Sequence, residues 1–147
     1  MVYADTSAIV KKYVDEPGSA EVRELIQRTN LIGTSVLSRA EAAAAFAKAI
    51  RTGSLPASDA ESCHAAFLRE WKHYVRIRIT ETLIASADNL AWTLKLRGYD
   101  AVHLAAALHW SDRLGEPVVF ATFDQELWTA AGKAELEVFP ARLSSAR

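Results

Sequence analysis

The stretch Val2-Tyr3-Ala4-Asp5-Thr6-Ser7 decides the fold, because a short apolar run ends there at an acid and two hydroxyl side chains. Apolar residues then recur at helical spacing over residues 8–14, so the stretch predicts a first strand over residues 2–5 and a helix that Thr6 or Ser7 caps. In an open α/β sheet, ligands bind outside the carboxyl ends of the strands. Asp5 is therefore a candidate site residue.

Strand and helix patterns alternate along the rest of the chain. Further strands are predicted over residues 31–37, 75–80, 118–123 and 136–139, and helices over residues 19–29, 38–50, 58–74, 83–97, 100–114 and 125–133. The strand over 75–80 alternates apolar and polar residues, as a strand at a sheet edge does, whereas the strand over 118–123 is apolar throughout, as in a buried parallel sheet. The alternation predicts an α/β fold with a central parallel sheet of about four to five strands flanked by helices.

Length and composition indicate one ordinary globular domain. The 147 residues suit a single domain over residues 1–147, and half of them are hydrophobic while 24% are charged. No apolar run approaches the ~20 residues of a membrane span, and the N-terminus has no signal-peptide pattern, so we expect a cytoplasmic protein. Cys63 is the single cysteine, which excludes an internal disulfide or a thiolate metal cluster.

The charge balance excludes a global electrostatic signature of nucleic-acid binding. Seventeen basic residues face eighteen acidic ones, for a formal net charge of -1. Any nucleic-acid partner must therefore be held locally. Basic side chains cluster in two segments, where they are more often solvated helix faces than a binding site. These side chains are Arg69, Lys72, His73, Arg76 and Arg78 in one segment, and Lys95 and Arg97 in the other.

Four acids share one kind of position, at a strand end or in the first turn of a helix: Asp5, Glu41, Asp100 and Asp124. A structural explanation exists for each of them, since acids cap free amides and suit the helix dipole. It is strongest for Glu41, which completes a capping box with Ser38. Taken together they point to a site, because the strand ends and the following helix starts of a parallel sheet lie along one edge.

Converging carboxylates limit the chemistry that can follow. Several of them cannot all stay ionised unless a cation neutralises them or some take up protons. Oxygen ligands without a cysteine or a histidine pair suit Mg²⁺ or Mn²⁺ rather than zinc. Such ions activate water and stabilise the attacking and leaving oxygens of an in-line phosphoryl displacement, so hydrolysis of a phosphodiester is the predicted chemistry.

Four segments resemble the acidic motifs of a known family. They are Tyr3-Ala4-Asp5-Thr6-Ser7-Ala8, Ser38-Arg39-Ala40-Glu41, Arg97-Gly98-Tyr99-Asp100-Ala101-Val102-His103-Leu104-Ala105-Ala106-Ala107 and Ala121-Thr122-Phe123-Asp124. They are similar to the motifs of PIN-domain ribonucleases. Their order, their spacing and the chain length resemble most the VapC toxins of bacterial toxin-antitoxin pairs. The third motif is the most specific, and the resemblance covers nearly the whole chain.

The resemblance implies a PIN-like domain that cleaves RNA. By that resemblance the four acids would hold Mg²⁺ or Mn²⁺, with Thr6 and Thr122 supporting them by hydrogen bonds. Water activated by the metal would attack an RNA phosphate in line and leave 5′-phosphate and 3′-hydroxyl ends. The resemblance also implies a homodimer and a VapB-like antitoxin whose C-terminal segment covers the acidic site. We expect no membrane partner, since no apolar run is long enough to span a membrane.

Two other functions remain open from the sequence. Asp5 after a first strand would also suit an aspartyl-phosphate enzyme, but such enzymes usually carry a second aspartate two positions on, where this chain has Ser7. The other is a non-catalytic module that binds RNA or protein, in which the acids only cap helices. His103 follows Asp100 by one helical turn, but a packing role is favoured for it. The four tryptophans, Trp71, Trp92, Trp110 and Trp128, are likewise expected in the core or in an interface.

Overall fold

Five strands and seven α-helices alternate along residues 1–143, the part of the chain that the computed structural model describes. The elements are β1 Val2–Ala4, α1 Thr6–Tyr13, α2 Ser19–Gln27, β2 Ile32–Ser35, α3 Ser38–Arg51, α4 Ala57–Glu70, a short 3-10 helix Trp71–His73, β3 Val75–Ile77, α5 Glu81–Leu94, α6 Gly98–Leu114, β4 Val119–Ala121, α7 Gln125–Lys133 and β5 Glu137–Phe139. The predicted α/β class is confirmed. Within this part of the chain, no helix has the length and hydropathy that a membrane crossing requires.

All five strands run parallel in one sheet, in the order β3-β2-β1-β4-β5. β1 is central, and Tyr3 lies between Gly33 of β2 and Phe120 of β4. β3 lies at an edge, as its alternating pattern predicted. The sheet order brings the carboxyl ends of β1 and β4 side by side, which is where the first and last acidic motifs begin.

Alternate residues of β1 pack into opposite layers, as the two-residue period of a strand requires. Tyr3 belongs to one buried cluster with Leu104 and Leu127 of α6 and α7. Val2 and Ala4 belong to the other cluster, which α1, α3 and α4 cover. The helices therefore flank the sheet on both faces, as predicted.

Helix α6 is buried along most of its length, and its small side chains bring it close to the sheet. Residues 101–107 are all buried, and five of them are alanine or valine. At the other end of the helix, the Trp110 ring lies against Gly33 of β2, where a Cβ would come within 2.5 Å of Cζ3. This close packing holds the first turn of α6, with Asp100, at a fixed place beside the sheet.

Two predicted helix caps are wrong. Asp5, rather than Thr6 or Ser7, is the N-cap of α1, and its side chain accepts a hydrogen bond from the Ala8 amide. The capping box of Ser38 and Glu41 does not form, because α3 begins at Ser38 and has no side-chain cap. Tertiary contacts replace it: the Ser38 hydroxyl is hydrogen-bonded to Thr34, and Glu41 faces residues distant in sequence.

The boundary between α5 and α6 also differs from the prediction. Helix α5 ends at Leu94, and Lys95 adopts a left-handed conformation with φ 58°. Helix α6 then begins at Gly98, so Asp100 lies in its first turn instead of opening it. Because Lys95 already ends α5, Gly98 is the first residue of α6 and does not terminate α5. Of the two places predicted for Trp92, the core is excluded because 76% of it is exposed, and the interface stays a prediction.

Candidate active site

The ends of β1 and β4 carry the first group of site residues. The Asp5 amide donates to the Ala121 carbonyl over 3.0 Å, which ties the two strand ends together. Residues 122–124 form the loop that follows β4 directly. Asp5 and Thr122 therefore lie side by side, as expected for residues that leave neighbouring parallel strands at one edge.

Asp5 is a buried carboxylate held by three donors. Its Oδ1 accepts from the Ser7 hydroxyl at 2.6 Å and the Ala8 amide at 3.0 Å, and its Oδ2 accepts from the Thr122 hydroxyl at 2.8 Å. Burial raises the pKa of Asp5, and these hydrogen bonds together with His103 offset only part of that rise. Since each oxygen has two lone pairs, Oδ1 is fully used and Oδ2 keeps one for a further partner.

Two hydroxyl side chains connect Asp5 to the loop that carries Asp124. The Thr122 hydroxyl donates to Asp5 and accepts from the Asp124 amide at 3.1 Å. The Ser7 hydroxyl accepts from the Phe123 amide at 2.8 Å. Thr122 is thus hydrogen-bonded to Asp5, and its supporting role in the site stays a prediction. Ser7 was missed, and its only signal in the sequence was a hydroxyl two residues after the acid.

Glu41 projects from α3 toward α1 and α6. Its Oε1 accepts from the Thr6 hydroxyl at 2.8 Å and lies 2.6 Å from Nε2 of His103. Burial would raise the pKa of Glu41, but His103 and the Thr6 hydroxyl lower it overall, so the carboxylate stays ionised. Among residues 1–143, no hydrogen-bond donor contacts Oε2, which is therefore open to a ligand.

His103 contacts a site acid, although the sequence favoured a packing role for it. It is 2% exposed, and its Nδ1 lies 2.8 Å from the Tyr3 hydroxyl. That hydroxyl already accepts from the Ser35 amide, so its own proton is free to go to Nδ1. In the tautomer that accepts this proton on Nδ1, Nε2 carries the ring proton and donates it to Glu41. The only hints in the sequence were the spacing from Asp100 and a polar residue among buried small ones.

Asp100 and Asp124 meet through an arginine. Nε of Arg97 lies 2.7 Å from Oδ2 of Asp100, and Nη2 lies 2.6 Å from Oδ2 of Asp124. Burial raises the pKa of Asp100, and Arg97 opposes that rise. Asp124 also caps α7, because its Oδ1 accepts from the Leu127 amide at 2.9 Å. From the sequence, Arg97 was the first residue of the third motif, and a solvated face was favoured for its side chain.

Hydrogen bonds thus link three of the four acids: Thr122 joins Asp5 to the Asp124 amide, and Arg97 joins the carboxylates of Asp124 and Asp100. Glu41 lies outside this set, and its partner Thr6 is next to Asp5 in the sequence. Within residues 1–143, no three His, Cys, Asp or Glu side chains already lie as a metal-holding group. The donor set nevertheless suits a hard cation, because carboxylate oxygens with open lone pairs remain on several of these acids.

Comparison with known proteins identifies the family. The family model described as PIN domain matches residues 2–133. The chain belongs to the PIN-domain family. Ribonuclease VapC45 of Mycobacterium tuberculosis (strain CDC 1551 / Oshkosh) is 35% identical to this PIN domain over 144 residues, which are 97% of each chain. The resemblance to VapC proteins that the four motifs indicated is confirmed.

Solved structures share the fold of this PIN domain at low sequence identity. FitAcB from Neisseria gonorrhoeae superposes with a TM-score of 0.65 at 18% identity, covering 96% of this chain and 98% of the other. A toxin-antitoxin complex from Klebsiella pneumoniae gives a TM-score of 0.64 at 12% identity, covering 98% and 100%. At these identities the likeness concerns the fold alone.

Proposed function

We propose that this PIN domain is a metal-dependent endoribonuclease and the toxin of a toxin-antitoxin pair. The observation that carries the proposal is the set of contacts around Asp5, where a buried carboxylate is held by Ser7, Ala8 and Thr122 next to the loop of Asp124. A carboxylate whose pKa is raised by burial gains from a nearby cation. The ribonuclease relatives supply the substrate class.

Four acids would hold the metal in this proposal: Asp5, Glu41, Asp100 and Asp124. When bound, Mg²⁺ or Mn²⁺ supplies water activation and neutralises charge at the phosphate. Thr122 orients Asp5, and Thr6 with His103 orients Glu41, so each carboxylate keeps its open oxygen in place. Water attacks the phosphorus and the 3′ oxygen leaves, which gives 5′-phosphate and 3′-hydroxyl ends. No histidine has to act as the base.

A basic cavity at the β3 edge supports a nucleic-acid substrate. The cavity has a volume of about 540 Å³, and Arg39, Arg76 and Arg78 line it. Within residues 1–143, none of these arginines has an acidic partner in an ion pair. Arg78 follows the carboxyl end of β3, two strands from β1, so its backbone lies on the order of 10 Å from that of Asp5 along the same sheet edge.

We expect the double variant R76A/R78A to bind RNA more weakly, with a smaller salt dependence. Each phosphate contact that is lost should reduce the slope of log affinity against log salt by about 0.7. Fluorescence anisotropy with a labelled mixed-sequence RNA, titrated at several salt concentrations, measures both quantities. The double variant R28A/R51A removes the same charge elsewhere and should keep more of the slope. Equal slopes in the two variants would contradict the role of the cavity.

Expression in a bacterial host tests the proposed function in cells. Induction of the wild-type protein should arrest growth and produce discrete new RNA ends, because RNA is cut at defined sites. The variant Asp100→Asn, expressed to the same level, should do neither. Arrest by both proteins without new RNA ends would contradict the nuclease.

The partners are proposals as well. We propose that a VapB-like antitoxin covers the acidic site and that the toxin is a homodimer in the cytoplasm, as in the family that the motifs resemble. One neighbour in fold is a toxin-antitoxin complex, which supports the antitoxin. Co-expression with the product of the neighbouring gene, followed by pull-down and mass measurement, should recover a complex. Recovery of the PIN domain alone would remove this partner.

A second function, a non-catalytic module, is favoured by one observation. Asp5 and Asp124 do serve as helix caps, with the amides of Ala8 and Leu127 as their donors. Capping alone does not explain why the hydroxyls of Thr122 and Ser7 also donate to Asp5. It also does not explain Glu41, whose side chain forms no cap hydrogen bond at the start of α3. A saturable metal isotherm that is lost in Asp5→Asn would exclude the module, because a neutral asparagine caps equally well.

A further inference from the structure

Arg97 joins two acids that come from different helices. It precedes α6, and its guanidinium reaches Oδ2 of Asp100 at 2.7 Å and Oδ2 of Asp124, 27 residues further on, at 2.6 Å. Asp100 and Asp124 are only partly exposed, with 14% and 29% of their side chains accessible, so solvent screens them incompletely. The arginine thus neutralises two neighbouring carboxylates that would otherwise repel each other.

Packing and capping do not account for this arginine. Its side chain is 68% exposed, so it contributes little to the core. It occupies the N-cap position of α6 but makes no side-chain cap hydrogen bond there. Its two contacts with the carboxylates are therefore the interactions that fix its position. They place a positive charge against the two carboxylates that would hold a cation in the proposed metal site.

We propose that Arg97 is a tethered cation that occupies Asp100 and Asp124 in the metal-free protein and must leave them before a divalent ion binds. The inference rests on the proposed metal site. A guanidinium and a divalent ion held by the same two carboxylates carry like charges, which repel at short range. Arg97 therefore stabilises the metal-free protein and weakens the apparent affinity for the metal.

The exposure of the arginine sets the size of the effect. Ion pairs with an exposed partner are weak, so the metal displaces the guanidinium without a large barrier. We expect removal of both pairs to tighten metal binding by about tenfold. We also expect the metal-free protein to lose about 3 °C in Tm, because the two carboxylates are left facing each other. The metal-bound protein should keep the Tm of the wild type.

The test uses the variant Arg97→Gln and isothermal titration calorimetry with Mg²⁺ or Mn²⁺, without RNA. Arg28→Gln is the matched control, since Arg28 forms a single exposed pair with Glu24 at 2.6 Å on α2. The expected result is tighter metal binding in Arg97→Gln alone, together with a larger rise in Tm on adding the metal. Arg97→Lys keeps the positive charge but loses the planar guanidinium that contacts both acids. Its metal affinity should lie between those of the wild type and Arg97→Gln.

Different failures have different meanings. If the wild type binds the metal and Arg97→Gln binds it with equal or weaker affinity, this inference is overturned. The proposed metal site would still be supported by that result. An equal loss of Tm with and without metal would also overturn it, because it would show a purely structural role. Binding in Arg97→Gln but not in the wild type would support it in its strongest form. Absence of binding in both, with both proteins folded by circular dichroism, would overturn the metal site and this inference together.

Discussion

Replacing Asp5 with asparagine should reduce RNA cleavage by on the order of a thousandfold, while the metal-free protein becomes more stable. Asparagine has the shape of aspartate, and its carbonyl can still accept the Ala8 amide that Asp5 accepts. It loses the charge that would hold the metal and the second acceptor oxygen, so the Thr122 hydroxyl must accept from the asparagine NH2 instead of donating to it. The expected loss of activity therefore does not come from a loss of folded protein.

The gain in stability follows from the direction of the pKa shift. Burial raises the pKa of Asp5 in the folded protein, so the ionised form is disfavoured there relative to the unfolded chain. The stability that the protonated Asp5 gives is present below its unfolded pKa of about 3.9 and is lost as pH rises through the folded pKa. Asparagine does not titrate, so the difference in Tm between Asp5→Asn and wild type should be largest near neutral pH and shrink in acid.

Thermal melts in EDTA from pH 3 to pH 7, run beside cleavage assays, measure both effects. Asp15→Asn is the matched control, because the Asp15 side chain is 91% exposed and pairs only with Arg23 among the described residues. That control should change neither the cleavage rate nor, beyond a few tenths of a kcal/mol, the stability. Cleavage that survives in purified Asp5→Asn would exclude Asp5 from the catalytic site.

Replacing Phe120 with alanine should destabilise the protein by about 3–5 kcal/mol, the largest stability effect that we expect from one substitution. Phe120 lies in β4 with 0% exposure, and its ring stacks on Tyr3 with centroids 5.4 Å apart. Removal of the ring leaves a cavity between the sheet and α6. At about 3 °C per kcal/mol for a domain of this size, Tm should fall by roughly 10–15 °C.

Urea unfolding measures this loss, and Trp92→Ala serves as its control. Trp92 is a larger aromatic residue, but 76% of it is exposed, so its removal should change the free energy of unfolding by less than about 0.5 kcal/mol. Equal losses in the two variants would contradict the assigned core. Asp5→Asn and Phe120→Ala would both lower activity in an assay, but with opposite changes in Tm.

The order of elements could be predicted because strand and helix periods differ over short windows. The apolar run 118–123 predicted the strand that is observed as β4, with Asp124 directly after the run. The run 2–5 likewise predicted β1 and the position of Asp5 at its end. The order of the strands in the sheet could not be predicted from these local patterns. Parallel pairing depends on crossovers across the whole chain, and the local pattern of a strand does not name its neighbours.

Errors arose where contacts distant in sequence outweighed a local preference. Ser38 and Glu41 match a capping box, but the Glu41 carboxylate binds Thr6 and His103, which are 35 and 62 residues away. His103 resembled a packing residue because its partners Tyr3 and Glu41 come from β1 and α3. A preference worth about 1 kcal/mol at a helix end is readily overridden by such buried hydrogen bonds.

The most direct test of the metal-dependent nuclease is to map the ends that the purified, antitoxin-free protein leaves on total bacterial RNA. The incubation is run with Mg²⁺ or Mn²⁺ and repeated with EDTA. We predict discrete cuts with 5′-phosphate and 3′-hydroxyl ends that vanish in EDTA, because water rather than the ribose 2′-hydroxyl attacks the phosphorus. Cuts that persist in EDTA, or that leave 2′,3′-cyclic phosphate ends, would contradict the four-carboxylate metal site.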